Sequence, residues 1–410
     1  MKHILKSMKT GLLLGTTAMI LFSSCNKDLE QFPESPAPGT PTYAALADTI
    51  KSRASDSLYY RLIIKSGLAA TLNNKTTSYT MFVPDNNGMK LFINAISGGL
   101  VPLNAPDAVF SGFITANIPA ATAAGLVSYN TCPQSLASTS IPSTFPNFQY
   151  PCIINPAPTV SALARLTTFP TTRNGAWVNN VPITGVDMQA ANGVIHHVAT
   201  IVAPPQRAMW ERINTDADLT IMKAAIARAD SGVAPINSSS LIWALSNFGP
   251  NLTVFAPTNQ AMKNAISFLT GGFLPPNAPD IAFIGFLGSN NITTQTVKGL
   301  IVYHILGTGA TFLNNMPTTA ASFPTLLNTA VPTHPGVSLV CTLTPGLGVT
   351  AAKVKGVINP VASNVLVNPT PDANPSYGTT VPPAFTYTGT SDQFYINGTL
   401  HKIDQVLLPQ

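Results

Sequence analysis

Few residues in this sequence have the types and spacing that catalysis or metal binding requires. His196 and His197 are adjacent in a predicted β-strand, where successive side chains point to opposite faces, so they do not share one metal ion. Elsewhere, His, Cys, Asp and Glu do not recur at metal-ligand spacing, and no nucleophile has a base that would orient it. The sequence therefore predicts a protein that is not an enzyme and has no catalytic residue, no metal site and no cofactor.

Several histidines instead lie in apolar runs. His196 and His401 each follow an Asn-Gly dipeptide, and the pair Tyr303-His304 ends another apolar segment. Polar groups that become buried are usually hydrogen bonded. We therefore expect these side chains to be hydrogen-bonded residues of the core.

The four cysteines suggest two further kinds of chemistry, lipidation and disulfide formation. Cys132 and Cys152 lie in one segment rich in Pro, Ser and Thr. We predict a disulfide between them, because closing a loop of this size stabilises a fold by about 3 kcal/mol in an oxidising compartment. Cys341 lies in an alternating apolar run and is expected to be a buried thiol.

The first residues are typical of a targeting segment. Lysines precede an uncharged apolar stretch, residues 11–22, which is too short to cross about 30 Å of hydrocarbon. The residues up to Cys25 resemble a bacterial lipobox, so residues 1–24 are predicted to be a lipoprotein signal peptide and Cys25 the lipidated residue. Two or more acyl chains anchor a protein stably where one does not. An ordinary secretory signal before a chance cysteine is the alternative.

Residues 25–40 are predicted to be a Pro-rich tether, since prolines among small polar residues favour extended conformations. Asp28 and Glu30 resemble a signal that sends some Gram-negative lipoproteins to the outer face of the outer membrane. Alternatively, these acids only solubilise the tether. We expect a protein anchored by lipid in the outer membrane and facing the cell exterior, with the periplasmic face as the alternative.

Composition indicates a globular, loop-rich remainder. Hydrophobic residues make up 45% and charged residues only 9% of the chain, which argues against disorder. The formal net charge of +5 is thinly spread, without clusters of Lys and Arg among aromatic residues. The sequence thus predicts no nucleic-acid partner, and its length suits two domains.

The chain contains an internal repeat. The segment from Thr80 to Lys90 matches that from Thr253 to Lys263, and at the same offset Gly98 to Phe113 matches Gly271 to Phe286 without a gap. Each copy ends with Asn-Gly-x-x-His and an apolar run. The chain therefore carries two copies of one domain.

Each copy is predicted to place helices before strands. A short strand that ends at Pro257 is followed by a helix capped by Thr258 or Asn259, with apolar residues at i, i+3, i+4 and i+7. Asn104 and Asn277 are expected to cap the next helix. A late strand follows each Asn-Gly turn. This order predicts an α+β fold.

The repeated segments resemble the two signatures of fasciclin-like domains. Thr253 to Asn259 resembles the first signature, and the runs at Asn192 and Asn397 resemble the second. Between them the family carries a Tyr-His pair, which is Tyr303-His304 in the second copy and Tyr129-Asn130 in the first.

This resemblance implies two fasciclin-like domains, residues 41–205 and 206–410, each a wedge-shaped β-sandwich with flanking α-helices. The second domain is predicted to contain an insertion at about 320–390, where the sequence follows the pattern poorly.

Family members are mostly adhesion or extracellular-matrix modules, so the resemblance implies a non-catalytic surface adhesion or scaffolding protein that binds an unknown protein or polysaccharide. Because the Tyr-His region of animal relatives is implicated in receptor binding, Tyr303 and His304 are candidate partner-binding residues. The alternative is a glycan-binding accessory lipoprotein of a nutrient-uptake system. That function would need an aromatic platform, for which the tryptophan candidate is Trp177.

Overall fold

The computed structural model describes residues 43–289, 292–344, 348–370 and 388–409. The predicted signal peptide, the lipidation site Cys25 and the tether lie outside these residues. From Tyr43 onward the chain forms one compact unit. Within it the two sequence copies fold alike, and we call them domain 1 and domain 2.

The helices of domain 1 pack on one face of its sheet. Three precede the first strand, and three follow it: α1 (Leu46–Lys51), α2 (Ser57–Ser66), α3 (Ala69–Leu72), α4 (Asn86–Ile96), α5 (Asp107–Asn117) and α6 (Ala120–Tyr129). The central helix α2 packs against α5 and α6 and buries Leu58, Tyr59, Leu62 and Ile63. This apolar face fixes the helical layer on the sheet.

The main sheet of domain 1 has six strands in the order β2-β1-β8-β7-β6-β5. Its strands are β1 (Tyr79–Pro84), β2 (Thr131–Cys132), β5 (Pro170–Thr171), β6 (Trp177–Val178), β7 (Val181–Ala190) and β8 (Gly193–Val198). A separate ladder joins β3 (Tyr150–Pro151) and β4 (Thr167–Thr168). The central strands β1 and β8 are parallel, and the other pairs of the sheet are antiparallel.

Domain 2 repeats this helical layer. Its helices are α7 (Met209–Thr215), α8 (Thr220–Ala229), α9 (Leu241–Ser246), α10 (Asn259–Leu269), α11 (Asp280–Gly288) and α12 (Thr294–Tyr303). The helix α8 takes the place of α2 and packs against α11 and α12.

The sheet of domain 2 has eight strands, and its parallel central pair is again the first strand and the strand after Asn-Gly. The strands are β9 (Leu252–Pro257), β10 (Ile305–Leu306), β11 (Ala321–Phe323), β12 (Val337–Thr344), β13 (Gly348–Lys355), β14 (Ser363–Val365), β15 (Gln393–Tyr395) and β16 (Gly398–Ile403). The predicted insertion therefore contributes β11, β12, β13 and β14 to the sheet, while residues 371–387 lie outside the described residues.

Both faces of the central strands are buried. In β1, Met81 and Val83 belong to the core beneath the helices, whereas Phe82 belongs to a second cluster on the opposite face. In β9, Val254 and Phe255 divide in the same way. Continuous burial on both faces explains why these strands are apolar at nearly every position rather than at alternate ones.

The Asn-Gly turns allow the parallel pairing. Gly193 adopts a φ of +150°, and a Cβ there would lie 1.9 Å from the carbonyl oxygen of Tyr79. Gly398 has a φ of +136° and the same 1.9 Å approach to the oxygen of Leu252. A side chain at either position is excluded, because the neighbouring strand occupies its space.

The predicted helix caps are confirmed in part. Thr258 caps α10 by accepting a hydrogen bond from the Ala261 N–H at 3.1 Å. The prediction that Asn104 and Asn277 cap the next helices is wrong, because α5 and α11 begin only at Asp107 and Asp280, after a proline. An acidic residue in the first turn instead favours the positive end of each helix dipole.

The two domains pack through aromatic side chains. Phe169 of domain 1 meets Phe312 and Phe394 of domain 2, with ring centroids 5.5 to 5.7 Å apart within this cluster. Asn174 Nδ2 donates hydrogen bonds to the carbonyl oxygens of Asn314 and Met316 at 2.9 and 2.8 Å. The junction is thus both apolar and hydrogen bonded.

Candidate functional site

The pair Tyr303-His304 lies at the end of α12, inside domain 2. Both side chains are fully buried. The Tyr303 hydroxyl donates to Gly336 O at 2.7 Å and accepts from the Val357 N–H at 3.1 Å. His304 Nδ1 lies 2.8 Å from Leu300 O, and its Nε2 accepts from the Leu407 N–H at 2.9 Å.

These contacts support the predicted core role of Tyr303 and His304. Burial lowers the pKa of His304 to about 4, so its imidazole is neutral at physiological pH and suits one donated and one accepted hydrogen bond. A partner could reach either side chain only after neighbouring residues moved. Their role in partner binding stays a prediction, whereas their structural role is visible in the geometry.

The histidines after Asn-Gly form a second buried arrangement. In domain 2, His401 Nε2 lies 2.9 Å from Thr311 O, and its Nδ1 accepts from the Asp392 N–H at 3.1 Å. In domain 1, His196 makes the equivalent contacts with Leu136 O and the Asp187 N–H. The expected structural role of both histidines is confirmed.

Sequence reasoning missed the aspartates in these contacts. Asp187 and Asp392 each lie five residues before the Asn of an Asn-Gly turn, and both adopt a positive φ. Burial raises the pKa of Asp392 to about 7, although a hydrogen bond from the Leu313 N–H opposes that shift. Their equal spacing from Asn-Gly was the available sequence signal.

A buried charge cluster in domain 2 was also missed. Asp216 Oδ2 lies 2.8 Å from both Arg212 Nε and Lys402 Nζ, and Lys402 also reaches Asp218 at 3.0 Å. Burial alone would raise the pKa of Asp216, but the Lys402 contact and the Arg212 charge bring it below its ordinary value. The cluster joins α7 to β16, and its groups are committed to one another rather than to an open site.

Cys132 and Cys152 are buried in one cluster of domain 1 and are free thiols in the structure. Burial raises the pKa of Cys132 to about 11 and that of Cys152 to about 12. Their predicted disulfide is therefore not formed here and stays a prediction for the protein in an oxidising compartment. The expectation for Cys341 is confirmed, since it is a buried thiol.

A cleft of about 240 Å³ lies between the domains. Domain 1 contributes Gln149 and Arg165, and domain 2 contributes Phe248 and Asn251. Asn251 Oδ1 accepts from the Ala310 N–H at 3.1 Å, while its Nδ2 has no partner among the described residues. Arg165 uses Nη1 for two backbone carbonyls and leaves Nη2 without a described partner. The cleft therefore presents hydrogen-bond donors together with the aromatic ring of Phe248.

The described part of the chain contains neither a candidate metal-ligand cluster nor a single candidate membrane-spanning helix. No group of three or more His, Cys, Asp or Glu residues in it is arranged to hold a metal ion. None of its helices is long and apolar enough to span a membrane alone; α5 and α6 pass that test together, but they meet at 112°.

One segment of the chain matches a known protein family. Residues 56–204 match the family model described as Fasciclin domain. Domain 2 has the same order of helices and the same parallel central strands as domain 1. The predicted fold class is thus confirmed: two α+β, fasciclin-like domains with flanking helices.

Among solved structures, the chain is similar to a FAS1 domain pair from the insect cell adhesion molecule fasciclin I. The sequences are 11% identical, the TM-score is 0.32, and the match covers 87% of this chain and 98% of that chain. No curated protein matches the sequence.

Proposed function

We propose that this protein is a non-catalytic adhesion or scaffolding protein, anchored in the outer membrane through lipidated Cys25, that displays both domains to the cell exterior. Fasciclin domains are associated with cell adhesion and with non-catalytic roles. One observation carries the proposal: His304, His401 and the three described cysteines, which could have done chemistry, are buried in the core. The outer surface and its loops then remain as the means of interaction.

The anchor and the orientation can be tested in cells that express the complete chain. Labelling with a palmitate analogue should mark the wild type and not Cys25→Ser, and external protease should release the domains from intact cells. A chain that is labelled but protected from protease would support the periplasmic alternative and exclude adhesion at the cell surface. An unlabelled, secreted chain would contradict the anchor.

Adhesion itself needs a separate measurement. Cells displaying the wild type should bind to surfaces coated with matrix proteins or polysaccharides more strongly than cells expressing Cys25→Ser. The coating to which the cells bind then shows whether the partner is a protein or a polysaccharide. Substitution of Tyr303 or His304 tests their predicted contact: a binding defect in a protein that still folds would support it, and loss of folding alone would exclude it.

The second candidate function is that of a glycan-binding accessory lipoprotein, and the cleft between the domains favours it. Its donors suit sugar hydroxyls and carboxylates, and Phe248 could stack on a ring. At about 240 Å³ the cleft is smaller than common ligand pockets, so it suits one sugar ring. Trp177 is half-buried and donates its Nε1–H to Asn174 O at 3.1 Å, so it offers no open platform.

A glycan array with the mature chain distinguishes the two functions. If the cleft binds sugar, Arg165→Ala and Phe248→Ala should each abolish the signal. Phe148→Ala is the matched control, because Phe148 is a 53% exposed aromatic residue outside the cleft. Absence of any glycan signal, or equal loss in the control, would reject the second candidate.

A further inference from the structure

Domain 2 exposes four large apolar side chains within one helix-loop-helix segment. Phe268 and Leu269 end α10, Phe273 follows the Gly271-Gly272 pair, and Ile281 lies in the first turn of α11. Their exposed fractions are 81%, 60%, 78% and 71%. Scattered exposed apolar residues are ordinary, but four within one helix-loop-helix segment are not. We call these four residues the apolar tip.

The loop that carries the apolar tip is preformed. Gly271 and Gly272 adopt φ values of +61° and +84°. The Gly272 N–H donates to Ser267 O at 2.8 Å, as in a glycine-ended helix. The backbone of this turn is thus already ordered, so placing it on a surface costs little further backbone entropy.

Domain 1 builds the same loop. Gly98 and Gly99 have φ values of +62° and +83°, and Gly99 N–H donates to Asn94 O at 2.8 Å. Leu100, at the position of Phe273, is 86% exposed. The longest gapless match between the two copies runs through this exposed loop, so a large apolar residue recurs where the core does not require it.

Neither loop carries a charge. Residues 91–106 and 264–279 contain no Asp, Glu, Lys or Arg. The charges that flank the segment in domain 2 are paired with each other, since Lys263 Nζ contacts Asp280. Insertion of this loop into an apolar medium therefore does not require the dehydration of an unpaired charge.

We propose that the apolar tip inserts into the lipid surface of the bilayer that holds the anchor and so orients domain 2 against that membrane. We choose a lipid bilayer as the binding partner because of the chain that precedes the described residues. This choice rests on the proposed lipidation of Cys25. Residues 26–42, which comprise the tether and the two residues after it, can span at most about 60 Å, slightly more than the width of a domain pair of this size. The tether thus allows the apolar tip to reach the bilayer.

Because the protein is proposed to be anchored by lipid, even weak insertion of the apolar tip suffices to hold domain 2 at the membrane. A tethered module meets its surface at an effective concentration in the millimolar range, so weak contacts suffice to hold it there. Interfacial segments insert apolar side chains about 5–10 Å into the boundary between headgroups and acyl chains. Because the loop has no basic residue, insertion should depend on neither anionic lipid nor salt, unlike binding by polybasic segments.

The test uses the mature chain with Cys25→Ser, which has no acyl chain, so its outcome is independent of lipidation. This protein should float with phosphatidylcholine vesicles, equally well with added phosphatidylserine and at high salt. Phe268→Ser with Phe273→Ser should lower partitioning about tenfold or more. The matched control is Leu163→Ser with Ile236→Ser, two residues that are 88% and 87% exposed elsewhere.

A second variant reports insertion directly. The fluorescence emission of Phe273→Trp should shift to the blue when vesicles are added, whereas that of Ile236→Trp should not. Vesicle binding that is absent, or equal in the double serine variant and its control, overturns the proposal. A wild type that forms dimers dispersed by the double variant, without vesicle binding, would assign the apolar tip to a second copy of the chain instead.

Discussion

Asn130 of domain 1 and His304 of domain 2 make the same pair of hydrogen bonds. Asn130 Nδ2 donates to Leu126 O at 2.8 Å, and its Oδ1 accepts from the Val202 N–H at 3.3 Å. His304 bonds the carbonyl four residues before it and the N–H of Leu407, the counterpart of Val202. Domain 1 therefore makes this pair of hydrogen bonds with an asparagine in place of the histidine.

This equivalence predicts that His304→Asn is tolerated. It should lower the free energy of unfolding by about 1 kcal/mol, since an amide can replace both bonds. His304→Ala should cost about 2–4 kcal/mol, because the Leu407 N–H would be buried without a partner. Urea denaturation measures both values. Equal losses in the two variants would contradict a role through hydrogen bonding.

The pH dependence of stability follows from the lowered pKa of His304. The pKa of His304 is about 4 in the folded protein and near 6.5 in the unfolded chain. As the pH falls, the unfolded chain therefore binds a proton before the folded protein does. The contribution of His304 to the free energy of unfolding, on the order of 3 kcal/mol, is complete above about pH 6.5. It is lost as the pH falls from about 6.5 to about 4.

His304→Asn isolates this contribution, because it removes the titrating group. The variant should be less stable than the wild type at pH 7, and the difference should shrink or reverse near pH 4.5. Urea midpoints across this range provide the measurement. Parallel curves for the two proteins would show that His304 does not contribute to acid denaturation.

The glycine in each Asn-Gly turn should be irreplaceable. Gly193→Ala or Gly398→Ala should destabilise its domain by more than about 4 kcal/mol, because the added Cβ meets a carbonyl oxygen. Gly112→Ala is the matched control. Gly112 is exposed in α5 with open space around it, and its replacement should stabilise the helix by about 0.5–1 kcal/mol. Thermal unfolding would reveal a tolerated Gly193→Ala and so refute the close approach.

The aromatic cluster should couple unfolding of the two domains. We expect the wild type to unfold in one calorimetric transition and Phe169→Ala in two, because Phe169 joins domain 1 to Phe312 and Phe394. Phe283→Ala, in the core of domain 2, should lower stability while keeping one transition. Two transitions in the wild type would show that the junction contributes little coupling.

The predicted disulfide between Cys132 and Cys152 is expected to form during folding. In the folded domain the raised pKa of each thiol leaves little thiolate to react. Non-reducing peptide mapping of protein from an oxidising compartment should find the bond, and native thiols of reduced protein should resist alkylation. Two alkylated cysteines in the exported protein would contradict the prediction.

Local patterns predicted the local structure. The apolar run before Pro257 located β9, the i, i+3, i+4 spacing after it located α10, and the internal repeat located their counterparts β1 and α4. The internal repeat then predicted two domains of one fold. These inferences succeeded because the determining residues are neighbours in sequence or recur at a fixed spacing.

Long-range contacts could not be predicted in this way. Phe169, Phe312 and Phe394 are far apart in sequence, and nothing local distinguishes them from other core aromatics. The caps expected at Asn104 and Asn277 failed because a proline and an aspartate a few residues later also begin a helix well. The apolar spacing of α10 also predicts that Leu269, at its i+7 position, faces the core, whereas the structure leaves Leu269 60% exposed.

The parallel pairing of β1 with β8 also determines when each domain can fold. Tyr79 lies opposite Gly193, so the centre of the sheet joins the first strand of the domain to almost its last. Loop-closure entropy must be overcome before this non-local contact forms, which makes folding slow. A chain emerging from its start therefore cannot complete the sheet until the whole domain has appeared. For a chain exported as proposed above, such a delay would keep the polypeptide unfolded while it is threaded through an export channel.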